Sequence, residues 1–99
     1  MIVLNGLKRK KSGTQNSRRL RLTENFPSII YRKNLSSILI SLNQNELLKI
    51  YDKIDNFKHK KFQIKLKKKN IFVKILEIQF HSFKHKFLHI DFLFLKKII

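Results

Sequence analysis

The residues best suited to chemistry form a basic run, Ser17-Arg18-Arg19-Leu20-Arg21, preceded by Lys8-Arg9-Lys10-Lys11. On a helix, Arg18 and Arg21 would lie three residues apart and share a face. A guanidinium group offers a planar pair of donors that matches phosphates and guanine edges, which the ammonium group of lysine cannot match. The run therefore indicates nucleic-acid binding, and the alternative is a solvated basic helix end.

The overall charge points the same way but is weaker support. The 99 residues include 23 Lys plus Arg against six acids, a net charge of +17. That charge suits a polyanionic partner, whether a nucleic acid, an anionic membrane or an acidic protein. However, Lys, Ile, Phe and Asn are abundant and Ala is absent, which suggests a codon bias that inflates lysine. The five arginines run against this bias, and all of them lie in the first third of the chain.

Composition and hydropathy exclude cysteine chemistry and disfavour a membrane-targeted chain. The absence of Cys rules out disulfides, thiolate metal sites and a cysteine nucleophile. The opening residues do not resemble a signal peptide, and no stretch approaches the ~20 apolar residues of a membrane helix. We therefore expect a cytoplasmic protein with no membrane partner.

Apolar periodicity predicts more strands than helices. A helix is predicted at residues 17–25, ending at Phe26-Pro27 because the residue before a proline disfavours helical backbone. Asn43 followed by Glu46 resembles a capping box and predicts a second helix, ending near Asn56. Strands are predicted at residues 2–7, 28–31, 37–42, 62–66, 71–79 and 88–94. The fold class is mainly β (α+β): one domain, residues 1–99, forming a small six-stranded, mostly antiparallel barrel with two or three short flanking helices.

The histidines offer two further chemistries. Alternation places His89 and Asp91 on the polar face of the last strand, within reach of each other. Without a third group or a pocket they make a poor catalytic dyad, so an RNA-facing pair and a plain surface pair remain as alternatives. His81, His85 and His89 would line a helix like metal ligands, but His89 lies in a predicted strand. We expect no metal and no cofactor.

The order of several motifs resembles a known family. The run from Gly13 to Arg21 is followed by Phe26-Pro27-Ser28-Ile29-Ile30-Tyr31, and the chain closes with Gln79-Phe80-His81 and His89-Ile90-Asp91-Phe92. Together these motifs resemble the bacterial 5S-rRNA-binding ribosomal proteins, the twenty-fifth family of the large subunit. The chain departs from that family's pattern at Thr14, Gln15, Arg32 and Ser82.

The resemblance implies a barrel that docks on an irregular internal loop of 5S rRNA within the large ribosomal subunit, as a monomer and without a small-molecule substrate. Irregular loops are plausible docking sites because a regular A-form helix hides its base edges in a deep major groove. By motif match, the implied RNA contacts are Arg9, Ser17, Arg18, Arg19, Arg21, Tyr31, Gln79, His89 and Asp91.

The sequence therefore predicts a non-catalytic structural constituent of the ribosome. One alternative is a basic RNA-binding or RNA-chaperone module without a fixed site. A membrane-surface protein is disfavoured because Asp52 and Asp55 dilute the charge of the second predicted helix. An enzyme is disfavoured because no acid pair or nucleophile motif is present.

Overall fold

The computed structural model describes residues 1–9 and 24–98. The first strands of this part are β1 (Ile2–Lys8), β2 (Asn25–Arg32) and β3 (Leu35–Asn43), followed by helix α1 (Gln44–Lys53) and a 3-10 turn (Phe57–His59). The remaining strands are β4 (Lys61–Leu66), β5 (Lys69–Phe80) and β6 (Phe87–Ile98).

The six strands close into a barrel in the order β1-β3-β2-β6-β5-β4. Four of the neighbouring pairs are antiparallel, whereas β1 with β4 and β2 with β6 are parallel. Among the described residues, each strand pairs with two neighbours, although β1 and β3 pair at only three positions. The predicted mainly β, six-stranded barrel is thus confirmed.

The barrel interior is filled by every second side chain of the strands, as the pleat requires. Six of the fully buried side chains are Leu4, Phe26, Ile30, Phe62, Ile90 and Phe92. Ser28 is also fully buried, and its hydroxyl donates to the carbonyl of Ile90 across the parallel β2–β6 pair. This bond satisfies a polar group that would otherwise be costly inside an apolar core.

Helix α1 begins where the sequence predicts. The side chain of Asn43 accepts from the backbone N–H of Glu46 at 3.0 Å, which caps the helix. The Glu46 carboxylate accepts from the backbone N–H of Asn5 at 3.1 Å, so it ties the helix to β1. The helix ends at Lys53, three residues before the predicted end at Asn56.

The predicted helix at residues 17–25 is wrong at its C-terminal end. Glu24 is a turn residue with a φ of 63°, and Asn25 is the first residue of β2. Phe26 and Pro27 belong to that strand. The residue before a proline favours extended backbone, and burial of the Phe26 side chain in the core stabilises this conformation. The predicted residues 17–23 lie outside the described residues.

Aromatic side chains join α1 to one end of the barrel. Tyr51 contacts the rings of Phe57, Phe80 and Phe87, with centroids 5.3–5.5 Å apart. The side-chain amide of Gln44 also accepts from the backbone N–H of Phe87 and donates to its carbonyl, at 2.6 and 2.8 Å. These contacts fix the start of β6.

No helix in the described ranges is long and apolar enough to span a membrane.

Candidate nucleic-acid interface

A polar cleft lies on the outer face of the barrel where β2, β6 and β5 are neighbours. It has a volume of about 230 Å³ and is lined by Tyr31, Glu77, Gln79, His89 and Asp91. Across the β5–β6 pair, Gln79 lies opposite His89 and Glu77 opposite Asp91. We call these five residues the polar cleft.

A bulge in β5 decides which side chains enter the polar cleft. Ile75 pairs with Phe92 and Glu77 pairs with Asp91, so Leu76 is an extra residue in the ladder. Because successive strand residues alternate between faces, the extra residue moves Glu77 and Gln79 from the inward to the outward series. The bulge also explains why β5 carries apolar residues at both alternating positions.

The side chains of His89 and Asp91 contact each other, as the alternation predicts. Nδ1 of His89 lies 2.8 Å from Oδ1 of Asp91, without the alignment of a hydrogen bond, and the two side chains are 26% and 22% exposed. The pair is therefore partly buried in the wall of the polar cleft, with the imidazole and the carboxylate in contact.

Arg9 lies at the end of β1 and is engaged by the protein itself. Its Nε donates to the carbonyl of Ile40 at 2.7 Å and its Nη2 donates to the carbonyl of Ser28 at 3.1 Å. Burial lowers the pKa of the Arg9 guanidinium below its ordinary value, and its buried Nη1 has no hydrogen-bond partner among residues 1–9 and 24–98. Arg9 therefore links β1 to β3 and β2, while its predicted contact with RNA stays a prediction.

The predicted residues of the basic run lie outside the part of the chain that the structure describes. These are Ser17, Arg18, Arg19 and Arg21. Of the nine predicted contacts, Tyr31, Gln79, His89 and Asp91 are brought together in the polar cleft. Glu77 was missed by the sequence reasoning, although its spacing of two from Gln79 puts both side chains on one strand face.

Two other histidines, His81 and His85, make contacts within the fold. Nδ1 of His81 accepts from the backbone N–H groups of Phe83 and Lys84, at 3.0 and 2.9 Å. Nε2 of His85 lies 2.9 Å from the carboxylate of Asp52. Among residues 1–9 and 24–98, no cluster of three or more His, Cys, Asp or Glu side chains could hold a metal ion.

Comparison with known proteins decides the family. The model of the Ribosomal L25p family matches residues 4–92. The chain belongs to the Ribosomal L25p family. This membership confirms the resemblance predicted from the motifs, and the prediction of a non-enzymatic protein of the cytoplasmic ribosome.

Members of the Ribosomal L25p family resemble the chain over almost its whole length. The large ribosomal subunit protein bL25 of Buchnera aphidicola subsp. Baizongia pistaciae is 44% identical over 93 residues, covering 94% of this chain and 96% of the relative. The bL25 protein of Proteus mirabilis is 37% identical over 93 residues, covering 94% and 98%. That of Klebsiella pneumoniae is 36% identical over 92 residues, covering 93% and 97%.

Proposed function

We propose that this chain is a structural constituent of the large ribosomal subunit and binds 5S rRNA at an irregular internal loop. Its relatives are named as large-subunit proteins, which supports the subunit. The motif resemblance supports the RNA. The polar cleft would read base edges, and the basic segment around Arg18 to Arg21 would neutralise phosphates.

The observation that carries the proposal is the convergence of four motif residues in one cleft. The cleft offers a phenol, a carboxamide, an imidazole and two carboxylates. An amide can donate and accept at once, and a carboxylate accepts from the exocyclic amino group of a base. Such a set suits the exposed edges of a distorted loop better than a regular A-form helix.

The two carboxylates also bear on the alternative of a non-specific basic module. Glu77 and Asp91 are two of only six acids in the chain, and both line the polar cleft. A surface that binds only phosphates gains nothing from carboxylates, because they repel the backbone. Their presence favours recognition of bases at a fixed site over binding by charge alone.

A gel-shift titration with 5S rRNA tests the proposal through Asp91→Asn. The substitution replaces one carboxylate acceptor by an amide donor, which would face the amino group of a base. We expect a loss of about tenfold in affinity, within the ~1–3 kcal/mol typical of a specific base contact. Asp55→Asn is the matched control, because Asp55 is exposed near the end of α1 and its loss changes the net charge equally.

Two outcomes would contradict the proposal. Equal affinities for Asp91→Asn and Asp55→Asn would remove the polar cleft from the interface. Ready displacement of 5S rRNA by bulk tRNA would favour the non-specific module instead.

In the same assay, the double substitution Arg19→Ala with Arg21→Ala is expected to weaken binding and to lower its salt dependence, since fewer phosphates would be neutralised.

A further inference from the structure

A second basic surface lies at the rim of the barrel, where β1 ends and the β4–β5 hairpin turns. It is a groove of about 700 Å³ with Leu7, Ile38 and Leu66 among its apolar lining residues. Its basic lining residues are Lys8, Lys65, Lys67, Lys68 and Lys69. We call this surface the lysine groove.

The charge of the lysine groove is uncompensated within the described residues. No Asp or Glu lines the groove, and the ion pairs of the described chain involve His85 and His89 instead. All five lysines are exposed. Five like charges around one groove repel each other and leave a positive potential that an anionic partner would relieve.

The lysine groove and the polar cleft are separate surfaces, although β5 contributes Lys69 to the first and Glu77 and Gln79 to the second. In the closed order β1-β3-β2-β6-β5-β4, strand β6 is three positions from β1 in either direction around the barrel. The polar cleft is centred on β6, whereas the lysine groove is built mainly from β1 and the β4–β5 hairpin. The two surfaces share no lining residue, so a partner held at one leaves the other accessible.

The side chains of the two surfaces differ in what they recognise. The lysine groove has neither carboxylate nor aromatic lining, so it offers no platform for base stacking, and the amide of Asn5 is its one uncharged polar side chain. Ammonium groups bind phosphates as point charges without reading sequence. Leu7, Ile38 and Leu66 add apolar surface beside these ammonium groups.

We propose that the lysine groove binds the sugar–phosphate backbone of a second RNA segment, so that the protein bridges this segment to the RNA held at the polar cleft. The bridging role rests on the proposed function, because it requires the first RNA to occupy the polar cleft. An acidic protein segment is the competing occupant. Five ammonium groups around one groove suit a chain of phosphates, and RNA is the polyanion that surrounds a ribosomal protein.

Binding of an RNA duplex to the preformed complex tests this inference. Labelled 16-base-pair RNA duplex of arbitrary sequence would be titrated into the protein saturated with 5S rRNA. The groove variant carries Lys→Gln at positions 65, 67, 68 and 69. The control variant carries Lys→Gln at positions 49, 53, 58 and 60, four exposed lysines of α1 and the 3-10 turn region with the same total charge.

We expect the groove variant to keep its 5S rRNA affinity within about twofold, because none of its substitutions lies in the polar cleft. Its affinity for the duplex should fall at least about tenfold more than that of the control, since each lost phosphate contact removes released counterions. In lysine acetylation footprinting, Lys65 to Lys69 should stay reactive with 5S rRNA alone and become protected when the duplex is added.

Other results would overturn the inference in distinguishable ways. Equal duplex affinities for the two variants would show that the groove lysines are not a specific site, and that the duplex is bound by diffuse positive charge. Loss of 5S rRNA affinity in the groove variant would merge the groove with the first interface and refute two separate surfaces. If the wild-type protein does not bind 5S rRNA, the proposed function fails; the same variants titrated with duplex in its absence still decide whether the groove binds RNA.

Discussion

Replacement of Arg9 by alanine separates a structural role from a role in RNA binding. The Arg9 guanidinium donates to the carbonyls of Ile40 and Ser28, at 2.7 and 3.1 Å, and so joins the end of β1 to two other strands. Arg9→Ala removes both bonds and one positive charge. Lys8→Ala is the matched control, because the neighbouring Lys8 side chain is exposed and its loss changes the charge equally.

The magnitude follows from the two bonds and the buried charge. Hydrogen bonds to charged groups contribute about 1.5–3 kcal/mol each, so the two together contribute about 3–6 kcal/mol. Desolvation of the guanidinium opposes this gain, because Nη1 is buried without a hydrogen-bond partner among the described residues. We therefore expect Arg9→Ala to lower the free energy of unfolding by about 1–3 kcal/mol, a fall in Tm of roughly 5–20 °C.

Thermal unfolding followed by circular dichroism would measure the effect, and 5S rRNA affinity would be measured at a temperature where both variants are folded. Lys8→Ala should change Tm by no more than a few degrees. An unchanged Tm for Arg9→Ala together with a large loss of RNA affinity would refute the reasoning, because Arg9 would then act as an RNA contact and not as a link between strands.

Five further substitutions at four positions test the packing of the barrel by urea unfolding. Asn43→Ala should destabilise the protein by about 1 kcal/mol through loss of the α1 cap, whereas Asn43→Asp should retain most of its stability. Phe87→Ala should lower the free energy of unfolding by about 3–5 kcal/mol, because the side chain is buried among four aromatic rings. As a control, Phe83→Ala should change it by less than about 0.5 kcal/mol, because that side chain is 94% exposed. Gly6→Ala should destabilise the protein by about 1–3 kcal/mol, because the added Cβ would lie 3.0 Å from the Cγ2 of the fully buried Ile64. Three results would each contradict the packing described. These are similar costs at Phe83 and Phe87, an unchanged stability of Gly6→Ala and an unchanged stability of Asn43→Ala.

Local patterns predicted most of the secondary structure. Alternation along β6 gave an apolar face and placed His89 beside Asp91, because strand periodicity depends only on the backbone. The Asn43 cap was equally predictable, since the bond spans three residues. The start of β2 was not, because Phe26 and Pro27 are compatible with both a helix end and a strand, and burial against Phe87 is a long-range contact.

The sequence by itself determined the family, the strand-rich class and the polar face of the last strand, because ordered motifs and alternation are local properties of the chain. Only the tertiary structure decided that Tyr31, Glu77 and Gln79 join His89 and Asp91 in one cleft. That convergence depends on the closed strand order and on the bulge at Leu76, which reverses the face of every residue beyond it. The position of Arg9 was decided in the same way, since its carbonyl partners lie 19 and 31 residues away along the chain.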